Sequence, residues 1–95
     1  MNRMVECDAN QCRITGDITV ACAAALLTEI TPHIADKISS LDFSGVGHVD
    51  STALALILSC MREAQQQIYS LRFSGFPPNI TTLAELYGIT ALLPA

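Results

Sequence analysis

The hydrophobic positions of this chain follow two periods, and the switches between them divide it into elements. Arg3–Asp8 and Gln11–Thr15 are short segments on either side of Ala9-Asn10, a dipeptide suited to a hairpin turn. Thr15-Gly16-Asp17-Ile18-Thr19 predicts a loop leading into a helix. Thr19 would cap that helix, and Ala23, Leu26, Leu27 and Ile30 follow at helical spacing. Pro32 marks the helix end or a kink in it. Ser40-Leu41-Asp42-Phe43, bounded by Ser and Gly, predicts an interior strand, and Ser44-Gly45-Val46-Gly47-His48 a turn-rich connection. The longest helix is predicted from about Ser51 to Gln67, with Leu54, Ile57, Met61, Ala64 and Ile68 on one face. Tyr69, Leu71 and Phe73 then alternate with Ser70, Arg72 and Ser74, which is strand periodicity. Gly75 through Pro78 read as a loop, Asn79 as the cap of a last helix and Gly88 as its end, with Leu92 and Leu93 folding back onto the body.

The resulting order is β-β-α-β-α-β-α. Strands separated by helices imply βαβ crossovers and a mixed, mostly parallel sheet with helices packed on it. The 95 residues have room for one domain, assigned to 1–95. No linker, repeat or low-complexity stretch divides them.

Composition sharpens the picture. Hydrophobic residues make up 51% and charged residues only 15%, few for a small chain with a large surface-to-volume ratio. Either the core is rich in Ala and Leu, or a partner covers part of the apolar surface. The net charge is −4, and Arg3, Arg13, Lys37, Arg62 and Arg72 form no basic stripe. Nucleic acid and anionic membrane surfaces are therefore poor partners. The longest apolar runs, Ala21–Leu27 and Ala53–Leu58, are too short to span a bilayer, and the first residues do not resemble a signal peptide. The expected location is the cytoplasm. Cys7, Cys12, Cys22 and Cys60 offer neither a CxxC pair nor a paired His, so the expectation is four reduced, buried thiols and no metal site.

The informative stretch runs from Leu41 to Leu58: a strand, a Gly-bearing connection, then a helix opening with Asp50, Ser51 and Thr52. Asp50 or Ser51 can accept from the free amides of the first helical turn, where the helix dipole would also stabilise a phosphate. Spacing alone does not separate this from an ordinary helix cap. The residues themselves do more. Asp42-Phe43-Ser44, followed by Asp50-Ser51-Thr52-Ala53-Leu54, resembles the signature of STAS domains, the fold of anti-sigma-factor antagonists and sulfate-transporter tails. Thr15-Gly16-Asp17-Ile18-Thr19 resembles the turn before the first helix of that family. The element order agrees over nearly the whole chain. Within the family, Ala53-Leu54-Ala55-Leu56-Ile57-Leu58 and Thr82-Leu83-Ala84-Glu85-Leu86-Tyr87 are most similar to the STAS subunit of the Mla phospholipid ABC transporter.

That resemblance implies a small, non-catalytic cytoplasmic subunit, needing no cofactor, that binds and supports the transporter's ATPase subunit and reaches the inner membrane only through that partner. Its alternative is an anti-sigma-factor antagonist that binds an anti-sigma-factor kinase and is switched by phosphorylation at Ser51. One departure from the family pattern is Ala53, which stands where the usual motif has Gly; Ala is favoured in a helix.

Helical projection assigns the docking surface. Leu54, Ile57, Met61, Ala64 and Ile68 face the sheet, while Ser51, Thr52, Ala55, Leu56, Ser59, Arg62, Glu63 and Gln66 face outward. Near the helix start that outer face is small and nearly uncharged, which suits close packing of a partner's helix or loop. The expected site is Asp50, Ser51, Thr52, Ala55, Leu56 and Ser59. His33 is expected on the surface. A hydrolase built from Asp42, His48, Asp50 and Ser51 would need an oxyanion motif or metal set, and the sequence has no Walker-type phosphate loop.

Overall fold

A computed structural model describes residues 5–93. Arg3 and Met4 of the first predicted segment lie outside the described residues. The N-terminal alternation forms a hairpin in which β1 (Val5–Asp8) runs antiparallel to β2 (Gln11–Ile18) across Ala9-Asn10. Helix α1 (Ala23–Ala35), strand β3 (Ser40–Val49), helix α2 (Ser51–Gln66), strand β4 (Arg72–Ser74) and helix α3 (Pro78–Leu86) follow, then a short 3₁₀ turn at Thr90–Leu92. The sheet has the order β1-β2-β3-β4, with β2–β3 and β3–β4 parallel. This is the predicted element order.

Two segments read as loops are strand. The end of β2 and the second half of β3 pair with one another, Thr15 with Gly45, Gly16 with Val46 and Ile18 with Val49. Between Arg13↔Asp42 and Ile18↔Val49 the register slips twice, as β3 takes up an extra residue at each of two bulges. Side-chain carboxylates serve the amides there: Ser44 N donates to Asp42 Oδ1 at 2.9 Å, and His48 N to Asp17 Oδ1 at 2.8 Å. The glycines that look like turn signals are there for closeness. A Cβ on Gly47 would lie 2.7 Å from Asp17 Oδ1, and one on Gly45 2.9 Å from the Thr15 methyl. Asn79 is not the cap of α3, a position held by Pro77; its amide donates to Gly47 O at 2.7 Å and ties the last helix to the second bulge.

Helix α1 starts at Cys22 instead of Thr19, whose carbonyl accepts from Cys22 N and Ala23 N in a preceding turn. Pro32 lies inside the helix without ending it. The final turn persists because Ile30 and Ile34, on the same face, are fully buried. All three helices close with the same pair of bonds. Ile38 N donates to His33 O and Lys37 N to Ile34 O; Tyr69 N to Ala64 O and Ile68 N to Gln65 O; Ile89 N to Ala84 O and Gly88 N to Glu85 O. These are Schellman ends, which need a left-handed residue after the cap. Lys37 (φ 59°), Ile68 (φ 56°) and Gly88 (φ 68°) occupy those places.

The core lies between the sheet and the helices. Ile14, Ile18, Leu41 and Phe43 from the strands meet Leu26, Ile30, Ile57 and Ile80 from the helices, all fully buried. The opposite sheet face carries Gln11, Arg13, Ser44, Arg72 and Ser74, all exposed. Two predicted positions on α2 are reversed. Leu56, expected outside, is buried at 3% exposure, because α1 packs alongside α2 and covers a second flank of it. Ile68, expected inside, is 90% exposed, because the helix has already ended and the left-handed turn throws the side chain outward. Leu54, Ile57 and Ala64 are buried as projected, Met61 is half-buried and Arg62 exposed. Leu93 packs on the core, whereas Leu92 stays 55% exposed.

The cysteines also depart from expectation. Cys7 and Cys12, directly opposite in the hairpin, form a disulfide, and Cys7 is exposed. Pairing across a two-residue turn brought together two residues that look unrelated in sequence. Cys22 and Cys60 are free, the first half-buried and the second buried. Burial, with Glu63 nearby, pushes the Cys60 thiol up to about 12, so it acts as a hydrophobe.

Two stability changes follow from α2. Leu56→Ala should cost about 2–5 kcal/mol, as a large-to-small change in a packed core does. Denaturant unfolding would reveal a solvent-facing Leu56 as a loss under about 0.5 kcal/mol. Ile68→Gly should raise stability, by about 1 kcal/mol, since a β-branched residue is strained at positive φ and this one buries almost nothing. A lower melting temperature for Ile68→Gly would show that the left-handed turn is not strained.

Candidate docking site

The turns that precede α1 and α2 meet at the end of the sheet where β2 and β3 stop, and Asp50 joins them. Its backbone is extended (φ −124°, ψ −171°), as an N-cap requires, and its Oδ1 accepts from Thr52 N at 2.9 Å. The Thr52 hydroxyl also hydrogen-bonds Oδ1. The other oxygen, Oδ2, accepts from Val20 N at 2.9 Å, thirty residues away in the turn before α1. Asp50 N in turn donates to Ile18 O at 3.1 Å. One carboxylate therefore caps α2 and pins the start of α1 beside it. The Thr52 hydroxyl, followed by the Val20 and Thr52 amides, favours the ionised form and holds the Asp50 carboxyl below its ordinary value of 3.8.

Between the first turns of α1 and α2 lies a groove of about 280 Å³. Thr52, Ala55, Leu56 and Ser59 form one wall, and Val20, Ala23, Ala24 and Leu27 the other. Four of the six residues predicted for the site are thus brought together. Leu56 contributes from the floor instead of standing on the outer face, and Ala55 is exposed. Asp50 and Ser51 are not part of the lining. Asp50 holds the two walls in place, and Ser51 is exposed at the first helical position. The α1 wall was missed in the sequence, although Ala21–Leu27 is one of its two longest apolar runs. That run signalled surface to be covered, but which neighbour it faced depended on the packing of two helices. Val20, 77% exposed at the groove, stands further into solvent than the half-buried Leu27 and the buried Leu56 of the same lining.

The hydrolase arrangement does not assemble. Both Asp50 oxygens are bound to Val20 and Thr52, and His48 is exposed, with its backbone amide on Asp17. Among the described residues no hydrogen bond links the His48 side chain to Asp50 or Ser51.

The Asp50 arrangement sets a pH dependence. A carboxyl whose folded pKa is depressed contributes stability that is fully present above its unfolded value and is lost as the pH falls through the folded one. Asp50→Ala should therefore lower the melting temperature at neutral pH, and the gap to the parent should close in acid below about pH 4. A gap that stays constant through that window would mean that the carboxylate charge contributes nothing.

With this geometry established, comparison with known proteins identifies the family. Residues 6–94 match the family model described as "Mlab, STAS domain". No curated protein sequence matches the chain. Among solved structures, the unphosphorylated anti-sigma factor antagonist SpoIIAA superposes with a TM-score of 0.69 at 16% identity, over 92% of this chain and 81% of that one. The crystal structure of Mglu superposes with a TM-score of 0.55 at 22% identity, over 73% of this chain but only 18% of that much longer one. Both likenesses are likenesses of fold. The family match spans nearly the whole chain, and the strand order fits the SpoIIAA likeness of fold: the chain belongs to the MlaB-type STAS domain family.

Proposed function

We propose that this domain is a non-catalytic subunit that docks onto the ATPase subunit of a phospholipid ABC transporter through the groove between α1 and α2. The observation that carries the reading is the groove itself, an apolar cleft left open at the one place where the family signature and the exposed Val20 coincide. A surface of small residues around an exposed apolar side chain packs closely against a partner helix or loop. The MlaB-type family membership, with the Leu-Ala-Glu-Leu-Tyr segment ending in Tyr87, favours a transporter ATPase as that partner. Among the described residues no helix is long and apolar enough to cross a membrane, and in this reading the domain reaches the cytoplasmic face of the inner membrane through its partner.

A second reading, an anti-sigma-factor antagonist switched by phosphorylation, is favoured by one observation. Ser51 is exposed on the first turn of α2 and its hydroxyl bonds no described residue, so a kinase could reach it. The two readings predict different captured proteins: an ATPase subunit or an anti-sigma-factor kinase.

Ala55→Arg and the uncharged Val20→Gln test the groove at exposed side chains, and Val20→Gln keeps the backbone amide that Asp50 uses. Each should leave unfolding within about 0.5 kcal/mol of the parent, as for other exposed positions. Each should also weaken capture of the ATPase subunit by about tenfold or more, the scale of an interface hot spot. Thr52→Glu is a poorer probe, because it would remove a hydroxyl that Asp50 uses. Arg13→Glu, on the open sheet face, serves as the control. Binding unchanged in both groove variants but lost with Arg13→Glu would move the interface to the sheet. Capture of a kinase, lost on Ser51→Ala, would replace the first reading with the second.

A further inference from the structure

We propose that Cys7, Cys12 and His33 form a zinc site when the Cys7–Cys12 disulfide is reduced. Strand alternation turns Val5 and Cys7 of β1, and Cys12 and Ile14 of β2, toward the helices, in the cross-strand pairs Val5↔Ile14 and Cys7↔Cys12. The first pair is buried in the core; the second lies at its rim, with Cys12 covered and Cys7 exposed. Helix α1 crosses above that rim. Its buried Ile30 and Ile34 set the rotation of the last turn, and the half-buried His33 beside them projects to the hairpin. The two sulfurs and an imidazole nitrogen all lie within 4.8 Å of one another.

Both halves of this cluster are held by backbone. His33 O accepts from Ile38 N in the Schellman end of α1, and Ser39 N and its hydroxyl then both donate to Asn10 O in the hairpin turn, at 2.7 and 2.9 Å. The helix end and the hairpin tip are thus clamped together within a few residues of the three side chains. Two cysteines five residues apart on a hairpin, facing a histidine on a packed helix, are a donor set suited to Zn²⁺. A tetrahedral zinc with S and N ligands sets those atoms about 3.5–3.8 Å apart; the imidazole nitrogen already lies within 4.8 Å of both sulfurs, and the sulfurs, bonded to one another in the disulfide, must part to that distance on reduction. The fourth position, beside the exposed Cys7, is open to water.

The chemistry balances with a dithiol as reductant. It donates two electrons to the Cys7–Cys12 bond, is itself oxidised to a disulfide, and leaves two protein thiols. Zn²⁺ then displaces the two thiol protons and accepts the lone pair of neutral His33. Oxidised, the hairpin is closed on itself. Reduced and metallated, it is fastened to α1. The site is remote from the groove, and its test is independent of docking.

The test is a titration of the phosphine-reduced chain with Zn²⁺ in competition with a chromophoric chelator, and with Co²⁺ as a spectroscopic stand-in. One zinc per chain is expected, with sulfur-to-cobalt charge-transfer absorption in the cobalt form and a higher melting temperature in the zinc form. His33→Ala and Cys7→Ser should each lose about tenfold or more in affinity, a scale that even outer-shell partners of zinc ligands reach. Cys22→Ser should keep full stoichiometry, and the disulfide form should bind none. Less than one zinc per reduced chain would overturn the site. So would affinity unchanged in Cys7→Ser, an exposed position whose variant should fold, or in His33→Ala; the hairpin cysteines would then be a cross-link only.

Discussion

Both parallel crossovers of this chain step the same way along the sheet, from β2 to β3 and from β3 to β4, and right-handed crossovers taken in one direction put their helices on one face. That constraint organises the molecule. Helices α1 and α2 must lie side by side on four short strands, and each then has two covered flanks in place of one. Leu56 is drawn into the core by that second contact, while Ala55, one residue away, stays out. The groove is the gap left where two helices that start from adjacent turns begin to separate. Across the sheet no helix of the described residues is placed, and that face is polar, with Arg13 beside Asp42 and Arg72 and Ser74 along β4.

Sharing one face requires the turns that launch α1 and α2 to be held in step. Asp50 does this with a single carboxylate, one oxygen on the first turn of its own helix and the other on Val20 N. A carboxylate serves because it accepts on both oxygens at once. The double bulge of β3 contributes from below, carrying the strand far enough to bring Asp50 under the start of α1, with Asp17 and Asn79 satisfying the backbone groups it leaves unpaired. The Asp-Ser-Thr sequence is therefore more than a cap. Its Asp is the joint between two helices, its Thr strengthens that joint and lines the groove, and its Ser is the member presented outward.

The opposite end of α1 is fastened with equal care. A Schellman turn, a serine on the hairpin carbonyl and a cysteine pair beneath His33 concentrate there, in a chain with few charges to stabilise its surface. The two ends serve different purposes. One holds open an apolar surface, and the other closes the edge hairpin onto the body. The paired, thiol-linked hairpin also occupies the edge of β2, leaving less unpaired backbone for unwanted strand association.

Periodicity by itself determined the element order, and the motifs carried the family resemblance, a cap at Asp50 or Ser51 and most of one wall of the groove. These are local properties: alternation, helical spacing and a carboxylate before two hydroxyls read the same whatever surrounds them. Tertiary structure decided the rest. Ser44–His48 looks like a turn until Thr15–Ile18 pairs with it, because a glycine needed for close approach in a bulge is indistinguishable in sequence from one needed for a turn. Pro32 reads equally as a stop or as a kink until the burial of Ile34 holds the last turn in place. A helical wheel assumes one covered side, so it misplaced Leu56 once α1 supplied another, and it continued past Gln66 to misplace Ile68 in a left-handed turn. Val20, the α1 wall, and the meeting of Cys7, Cys12 and His33 depend on contacts between elements, and no local pattern encodes which faces will meet.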